Sequence, residues 1–292
     1  MTAKLNDDCF VLDKDRLPHP EAIAILKARV RPVVGVEQVQ AAVAAGRFLA
    51  MDIVAPRPIP AHDNAAVDGY AFAHAAYDQA NGARLNVVGQ AAAGHPFMGS
   101  PPVDSAVRIF TGAVMPPGCD SVAMQEDVRL EQSGDDMWAL IPPGLKLGAN
   151  RRVAGEDAKE GAVLLEAGAR LRPQDVASAA ATGLGQITCY AKFKVAILST
   201  GDEILRPGES FSPGKVYDAN APMLEALIRA AGAEAVDLGV LPDKAEKVKS
   251  ALADAARAYD AIVISGGASQ GAEDHVVNSI DALGKRHLWQ IA

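Results

Sequence analysis

Cysteine is scarce in this chain. Its three cysteines, Cys9, Cys119 and Cys189, lie far apart, and no C-x-x-C pair occurs. Neither a zinc site nor a dithiol redox motif can therefore be read from the sequence. A sparse and odd set of cysteines is typical of a reducing compartment and favours the cytoplasm.

Basic runs and long apolar runs are also missing. The formal net charge is -8 and the pI is about 5.3, and no Lys/Arg cluster supplies the basic face that a nucleic-acid binder needs. No apolar stretch is long enough to span a bilayer. Residues 1–16 are mixed in charge and lack the apolar centre of a signal peptide. These features predict a cytoplasmic protein that binds neither nucleic acid nor membrane.

The remaining composition is that of a globular protein. Apolar residues make up 49% of the 292 positions and charged residues 22%, which predicts two or three compact units. After a loose arm at 1–18, the patterns predict helices at 19–31 and 36–45, a strand at 47–54 and a short helix beginning at Pro173.

Residues 61–147 alternate short apolar stretches with Gly, Pro and Asn turns, which predicts a small inserted β domain. Its expected strands cover residues 67–72, 85–88, 107–110, 121–125 and 138–141. The flanking segments, 19–60 and 148–190, are expected to form one discontinuous, elongated domain of helical and extended segments.

Residues 193–292 alternate strands with helices, so the fold class is multidomain α/β with a parallel, doubly wound sheet at the C-terminal end. The expected strands are 194–199, 235–240, 261–265 and 287–291. The expected helices are 220–231, capped by Asp218 or Asn220, and 243–258 and 274–283. Because the sequence stops where a strand ends, it is expected to be a fragment or a protein without a following domain.

Ligands of open α/β sheets bind at the carboxyl ends of the strands. The first such loop is 199–203, Ser-Thr-Gly-Asp-Glu. Gly201 allows a sharp turn beside a ligand, Thr200 offers a hydroxyl, and Asp202 and Glu203 offer the oxygen ligands that Mg²⁺ prefers. The alternative is an ordinary polar loop.

The second loop is 265–271, Ser-Gly-Gly-Ala-Ser-Gln-Gly, which precedes Glu273 and Asp274. A glycine-rich loop before a helix presents backbone N–H groups to an anion. The alternative is a flexible turn with Asp274 as a helix cap. A match to the hydrolase pattern G-x-S-x-G is set aside, because Gly271 separates Ser269 from the helix.

The third loop is 241–243, Leu-Pro-Asp, where Asp243 is expected to cap the next helix. Carboxylates gathered at adjacent strand ends repel each other, by about 4 kcal/mol for a pair about 4 Å apart at an effective dielectric near 20. Such a cluster is tolerated if a cation binds within it or if the groups are spread apart, and the first of these is the physical reason to predict Mg²⁺ here.

Two polar segments lie outside the sheet, at 60–71 and 150–157. In the second, Arg151 and Arg152 precede two acidic residues, and arginine can bind phosphate through two parallel hydrogen bonds. The alternatives are solvated loops or ion pairs between segments. His62 is expected to be a structural or surface histidine rather than a ligand.

Taken together, these motifs resemble the molybdopterin molybdenumtransferase family, the bacterial molybdenum insertases related to the C-terminal domain of gephyrin. The resemblance covers residues 20–291. It rests on motifs shared in the family's order, at 63–71, 108–113 with 122–126, 150–157, 199–203, 216–220 and 265–271.

The resemblance implies that the sheet domain binds adenylyl-molybdopterin. It implies an Mg²⁺-dependent enzyme that inserts molybdenum from molybdate into the dithiolene and releases AMP. It also implies a homodimer whose site lies between the sheet domain of one subunit and the inserted domain of the other, and molybdopterin adenylyltransferase is a candidate partner.

The resemblance also implies roles for individual residues. Those implied to be catalytic are Asp68, Thr111, Glu203 and Asp274. Those implied to bind metal are Asp202, Glu203 and Asp274. Those expected to bind the substrate or its anionic groups are Arg151, Arg152, Asp157, Ser199, Thr200, Gly201, Asp243, Ser265, Gly266, Gly267 and Ser269.

The sequence departs from the family's pattern in three ways. Gln270 stands where many relatives have an apolar residue, and Ala65 where many have serine. The family also continues with a P-G-K-P segment and a C-terminal β domain, which these 292 residues do not contain. The alternative function is a non-catalytic molybdopterin-binding or scaffold relative. The related adenylylation activity is disfavoured, because it does not need the inserted domain with Asp68 and Thr111.

Overall fold

The computed structural model describes residues 17–267 and 275–285. The chain divides into two compact units. The α/β unit comprises Met1–Gln38 and Thr188–Ala292, and the β unit comprises Val39–Ile187. The predicted strand at 287–291 and most of the predicted arm lie outside the described residues, and the predicted three-domain division stays a prediction.

The helices and strands are numbered separately, in chain order. They are α1 (His19–Arg29), β1 (Val36–Gln40), β2 (Ile53–Val54), β3 (Asn64–Ala65), β4 (Gly69–Phe72), β5 (Ala83–Ala91), β6 (Ser105–Ile109), β7 (Ser121–Met124), β8 (Arg129–Ser133), β9 (Asp136–Ile141), β10 (Arg151–Arg152), β11 (Val163–Leu165), α2 (Pro173–Ala181), β12 (Gln186–Tyr190), β13 (Lys194–Thr200), β14 (Ile204–Leu205), β15 (Val216–Tyr217), α3 (Asn220–Ala230), β16 (Glu234–Leu241), α4 (Ala245–Ala258), β17 (Ala261–Ser265) and α5 (His275–Leu283).

The core of the α/β unit is a three-stranded parallel sheet in the order β16-β13-β17. Leu198 of β13 packs against Val248 and Leu252 of α4 on one face, together with α5. Ile197 packs against Ala221 of α3 on the other face. Helices therefore cover both faces, which explains why β13 is almost entirely apolar and confirms a mixed α/β fold.

The β unit contains a six-stranded sheet in the order β7-β4-β6-β5-β9-β8. Both faces of β4 are buried, with Tyr70 and Phe72 in one apolar cluster and Ala71 in another. The five strands expected in this region are confirmed, and β8 is a strand that the sequence patterns do not predict. The antiparallel pairs of β4 with β6 and with β7 bring Asp68, Thr111 and Gln125 to one end of the sheet.

Two local predictions are wrong. Residues 36–45 form β1 and a short 3-10 turn at Ala41–Val43, not a helix. β1 pairs with β12, and Gln38 Nε2 donates to Thr188 Oγ1 at 2.9 Å. Because the pairing partner lies 150 residues away in the sequence, no pattern within residues 36–45 predicts the strand. The expected strand at 47–54 is reduced to β2 and an isolated bridge between Phe48 and Arg170.

Within the described part of the chain, no helix combines the length and apolar character needed to cross a membrane.

Candidate functional site

Three loops meet at the carboxyl end of the parallel sheet. The loop after β13 turns at Gly201, which has a φ of +138° and is buried. The Glu203 side chain folds back over Gly201, since a Cβ there would lie 2.8 Å from Glu203 Cδ and Oε1. Glycine at this position therefore makes room for the Glu203 carboxylate, which stays exposed to solvent.

Asp202 and Asp243 are joined across the ends of β13 and β16. The backbone N–H of Asp202 donates to Asp243 Oδ2 at 3.2 Å, and that of Asp243 donates to Asp202 Oδ1 at 3.3 Å. The prediction that Asp243 caps α4 is wrong, because the N-cap is Lys244 and has no side-chain cap. The Asp243 carboxylate faces the loop after β13 instead, because that loop offers it a free backbone N–H.

Ser199 and Thr200 are largely removed from solvent, at 1% and 7% exposure. Ser199 Oγ donates to Asp218 at 2.5 Å, so this side chain supports the loop. Thr200 lies against Gly266 at the end of β17. The loops after β13 and β17 are therefore in direct contact.

Ser265 and the two following glycines end β17. Ser265 Oγ accepts a hydrogen bond from Asn220 Nδ2 at 2.9 Å, and Gly266 and Gly267 have φ of +100° and +67°. Such left-handed backbone favours glycine. Ser269 and Asp274 lie outside the described residues, so their predicted roles stay predictions.

The second group of predicted site residues lies in the β unit. The Asp68 carboxylate accepts hydrogen bonds from the backbone N–H and from the hydroxyl of Thr111, both at 2.7 Å. These two bonds, with the charge of Arg108, hold the pKa of Asp68 below its ordinary value. The two residues implied to be catalytic on this unit therefore form a hydrogen-bonded pair of an ionised Asp68 and a neutral Thr111.

Thr111→Val is expected to raise the pKa of Asp68 towards its ordinary value, because the variant loses the hydroxyl donor and keeps only the backbone N–H. The lowered pKa stabilises the fold above the unfolded-state pKa, and this contribution is lost as the pH falls through the folded-state pKa. The variant should therefore lose less stability on acidification. Titration of the Asp68 carboxyl by ¹³C NMR measures the shift. Thr111→Ser is the control and should keep the wild-type pKa; identical curves for valine and wild type would contradict the assignment.

Arg108 is a further residue of this group, which the sequence marks only by its place in the 108–113 motif. Its guanidinium lies 4.7 Å from the ring centroid of Phe110 and 5.1 Å from that of Tyr70. It donates to the carbonyl of Gly69 at 3.1 Å and to Gln125 Oε1. Arg108 therefore links the ends of β4, β6 and β7 through hydrogen bonds and ring contacts beside Asp68.

Arg151 and Arg152 form β10, which pairs with β3. Arg152 Nη2 donates to both carboxylate oxygens of Asp157 at 2.8 Å, and its Nε to Glu156 at 2.5 Å. Arg151 pairs with Asp63 at 3.2 Å, while its buried Nε has no hydrogen-bond partner among the described residues. Both arginines thus form ion pairs, as one of the alternatives expected, and their role in ligand binding stays a prediction.

Among residues 17–267 and 275–285, no group of three or more His, Cys, Asp or Glu side chains is arranged to hold a metal ion. The carboxylates of Asp202, Glu203 and Asp243 form no ion pair with a described Lys, Arg or His. The protein is of the α/β class, and carboxylates without an ion-pair partner at the carboxyl end of a parallel sheet lie where proteins of this class commonly bind small molecules.

Comparison with known families assigns this architecture. The family model described as "MoeA N-terminal region (domain I and II)" matches residues 17–183, and that described as "Probable molybdopterin binding domain" matches residues 196–292. The chain belongs to the MoeA family of molybdopterin molybdenumtransferases. The resemblance inferred from the sequence motifs is confirmed.

Individual relatives of known sequence or structure support the same family. The chain is similar to the molybdopterin molybdenumtransferase of Haemophilus influenzae, at 39% identity over 85% of this chain and 60% of the relative. It is similar to that of Bacillus subtilis, at 34% identity over 83% of this chain and 57% of the relative. It is also similar to two crystal structures of the molybdopterin biosynthesis MoeA protein from Pyrococcus horikoshii. Their TM-scores are 0.78 and 0.76, at 32% and 35% identity, covering 92% and 86% of this chain and 67% and 66% of those chains. The chain thus spans 56–60% of the length of the first three curated relatives.

Proposed function

We propose that this chain takes part in inserting molybdenum from molybdate into the dithiolene of adenylyl-molybdopterin, with release of AMP. The observation that carries the proposal is the set of three carboxylates, Asp202, Glu203 and Asp243, at the carboxyl end of the parallel sheet. None of these carboxylates forms an ion pair with a described basic side chain, although Lys215 Nζ donates to the backbone carbonyl of Asp202. Family membership supplies the reaction.

Mg²⁺ belongs to the proposal because carboxylate oxygens suit it chemically. Protein-bound Mg²⁺ is commonly held by one or two carboxylates together with waters and substrate phosphates. Asp202 and Glu203 would hold it here, with Asp274 from outside the described residues. A bound Mg²⁺ would offset the negative charge of the phosphate groups that leave with AMP.

The finer arrangement is also a proposal. Asp68 with Thr111 would act on the reacting groups, while Arg151, Arg152 and Asp157 would bind anionic or polar parts of the substrate. We further propose that the protein is a cytoplasmic homodimer in which the β unit of one subunit contributes to the site of the other. We also propose that each chain is divided into an elongated domain, an inserted β domain and an α/β domain. Molybdopterin adenylyltransferase, whose product would be the substrate, is the proposed partner.

The test follows AMP release from adenylyl-molybdopterin by this 292-residue chain. AMP formation that depends on both molybdate and Mg²⁺, and that stops on chelation, is expected. The absence of molybdate-dependent AMP would contradict the proposal. Tight binding of molybdopterin without turnover would favour the non-catalytic alternative.

Glu203→Gln is the companion variant. It removes one charge and leaves an exposed side chain of the same size, so the melting temperature should change little, while turnover should fall about 100-fold. Glu234→Gln at the opposite end of the same sheet is the matched control and should retain turnover. Equal turnover of the two variants would remove Glu203 from the site.

A further inference from the structure

A buried carboxylate, Asp218, lies between β15 and α3 at 5% exposure. Its Oδ2 accepts hydrogen bonds from Ser199 Oγ at 2.5 Å and from Arg206 Nη1 at 2.9 Å. Its Oδ1 accepts the backbone N–H groups of Asn220 at 3.1 Å and of Ala221 at 3.0 Å. Four donors use the acceptor positions of both oxygens, so the carboxylate is held in one orientation.

The charge state of Asp218 follows from the same contacts. Burial alone would raise its pKa, but the hydrogen bonds from Ser199 and the Ala221 N–H, with the charge of Arg206, outweigh burial and hold the pKa below its ordinary value. The group is therefore ionised at neutral pH and forms a charge-assisted network with the Arg206 guanidinium.

The network reaches all three parallel strands. Ser199 belongs to β13, and Arg206 extends to Asp237 of β16, which it meets at 2.6 Å. Asn220, whose N–H is held by the carboxylate, donates through Nδ2 to Ser265 Oγ of β17 at 2.9 Å. The buried Asp218 carboxylate thus connects, directly or through Arg206 and Asn220, side chains of three strands that are distant from one another in sequence.

The strand ends that this network holds carry the proposed ligand loops. Thr200 follows Ser199 directly, and a Cβ on Gly266 would lie 2.6 Å from Thr200 Oγ1. The two loops therefore have no spare room between them. A displacement of Ser199 would move both loops, and with them the backbone that leads to Glu203.

We infer that Asp218, through Ser199, Arg206 and Asn220, is a positioning residue that sets the relative placement of the loops after β13 and β17 for the reaction. This inference rests on the proposed function for its catalytic consequence. Its structural consequence, that the two loops lose their placement together when the anion is removed, can be measured without turnover.

The test is Asp218→Asn, compared with Asp260→Asn. Asp260 accepts the backbone N–H of Lys194 at 2.8 Å, at the opposite end of β13, so the control makes the same substitution in the same sheet. Hydrogen exchange read by mass spectrometry should accelerate about tenfold in residues 199–203 and 264–267 of the Asp218 variant, with α4 unchanged. In the AMP-release assay kcat should fall roughly 10-fold to 100-fold with a smaller change in KM, because misplaced loops still bind substrate but rarely reach the reactive geometry.

Ser199→Ala is the second variant, should Asp218→Asn fail to fold. It removes one link to the anion and keeps the charge pair, so both effects should be present and smaller. Unchanged exchange in either loop, or accelerated exchange with wild-type kcat, would overturn the positioning role. An inactive wild-type protein would contradict the proposed function, and the exchange data would still decide whether Asp218 couples the loops.

Discussion

Gly266→Ala is expected to abolish most turnover while leaving the chain folded. A Cβ at this position would lie 2.6 Å from Thr200 Oγ1 and 2.7 Å from the Thr200 carbonyl oxygen. The second contact is with backbone, so rotation of a side chain cannot relieve it. The loops after β13 and β17 must therefore separate, and a misplacement of about 1 Å can cost about 100-fold in rate.

Gly239→Ala is the control for Gly266→Ala. Gly239 has a φ of +98° against +100° for Gly266, but a Cβ there would meet nothing within 4 Å. Both variants carry the same backbone strain, of roughly 1–2 kcal/mol, so the difference between them isolates the contact with Thr200. The strain should lower the melting temperature of both variants, but Gly266→Ala should lose about 1–3 kcal/mol more in unfolding free energy than Gly239→Ala. Loss of AMP release should be confined to Gly266→Ala. Similar behaviour of the two variants would show that strain, not the contact, matters.

Gly69→Ala is expected to cause a large loss of stability in the β unit. Gly69 begins β4 between β6 and β7, and a Cβ would collide with the carbonyl oxygen of Ala123 and lie 2.9 Å from its carbon. This carbonyl belongs to the β7 strand of the sheet and cannot move without breaking the β4–β7 pairing. We expect a loss of about 3 kcal/mol, or a decrease in melting temperature of roughly 10 °C.

Gly185→Ala provides the comparison in the same unit, because a Cβ there meets nothing within 4 Å and its φ is not positive. It should be neutral or slightly stabilising, since alanine restricts the unfolded chain. Differential scanning calorimetry of the two variants measures the contrast. Equal melting temperatures would mean that the structure accommodates the contact between an alanine Cβ and the Ala123 carbonyl without loss of stability.

Because Gly69 follows Asp68, a destabilised β4 should also raise the pKa of Asp68.

Much of the α/β unit is predictable because its signals are local. A near-continuous aliphatic run predicts a strand buried on both faces, and the runs at 194–199 and 261–265 form β13 and β17 with nearly the same bounds. In the β unit, the motifs of the sequence identify both Thr111 and Asp68 as candidate site residues.

The hydrogen bonds between them depend on the antiparallel register that pairs Gly69 with Ile109. No local sequence pattern predicts that register.

Other features depend on partners distant in sequence. The apolar spacing at 36–45 favours a helix, yet the segment begins a strand because residues of β12 offer backbone hydrogen bonds. Asp243 has the sequence of a helix cap, but the N–H of Asp202, 41 residues earlier, takes its carboxylate. Asp218 has the sequence of a cap for α3, and only folding brings Ser199 and Arg206 to its other oxygen.

The sequence by itself determined the mixed α/β class, the polar loops at the strand ends and the family, because hydrophobic periodicity, turn residues and ordered motifs are local features of the chain. Only the tertiary structure decided which polar groups meet: the Asp202–Asp243 exchange, the Asp68–Thr111 pair and the Asp218 network. Strand register and burial set those contacts, and both are properties of residues far apart in sequence.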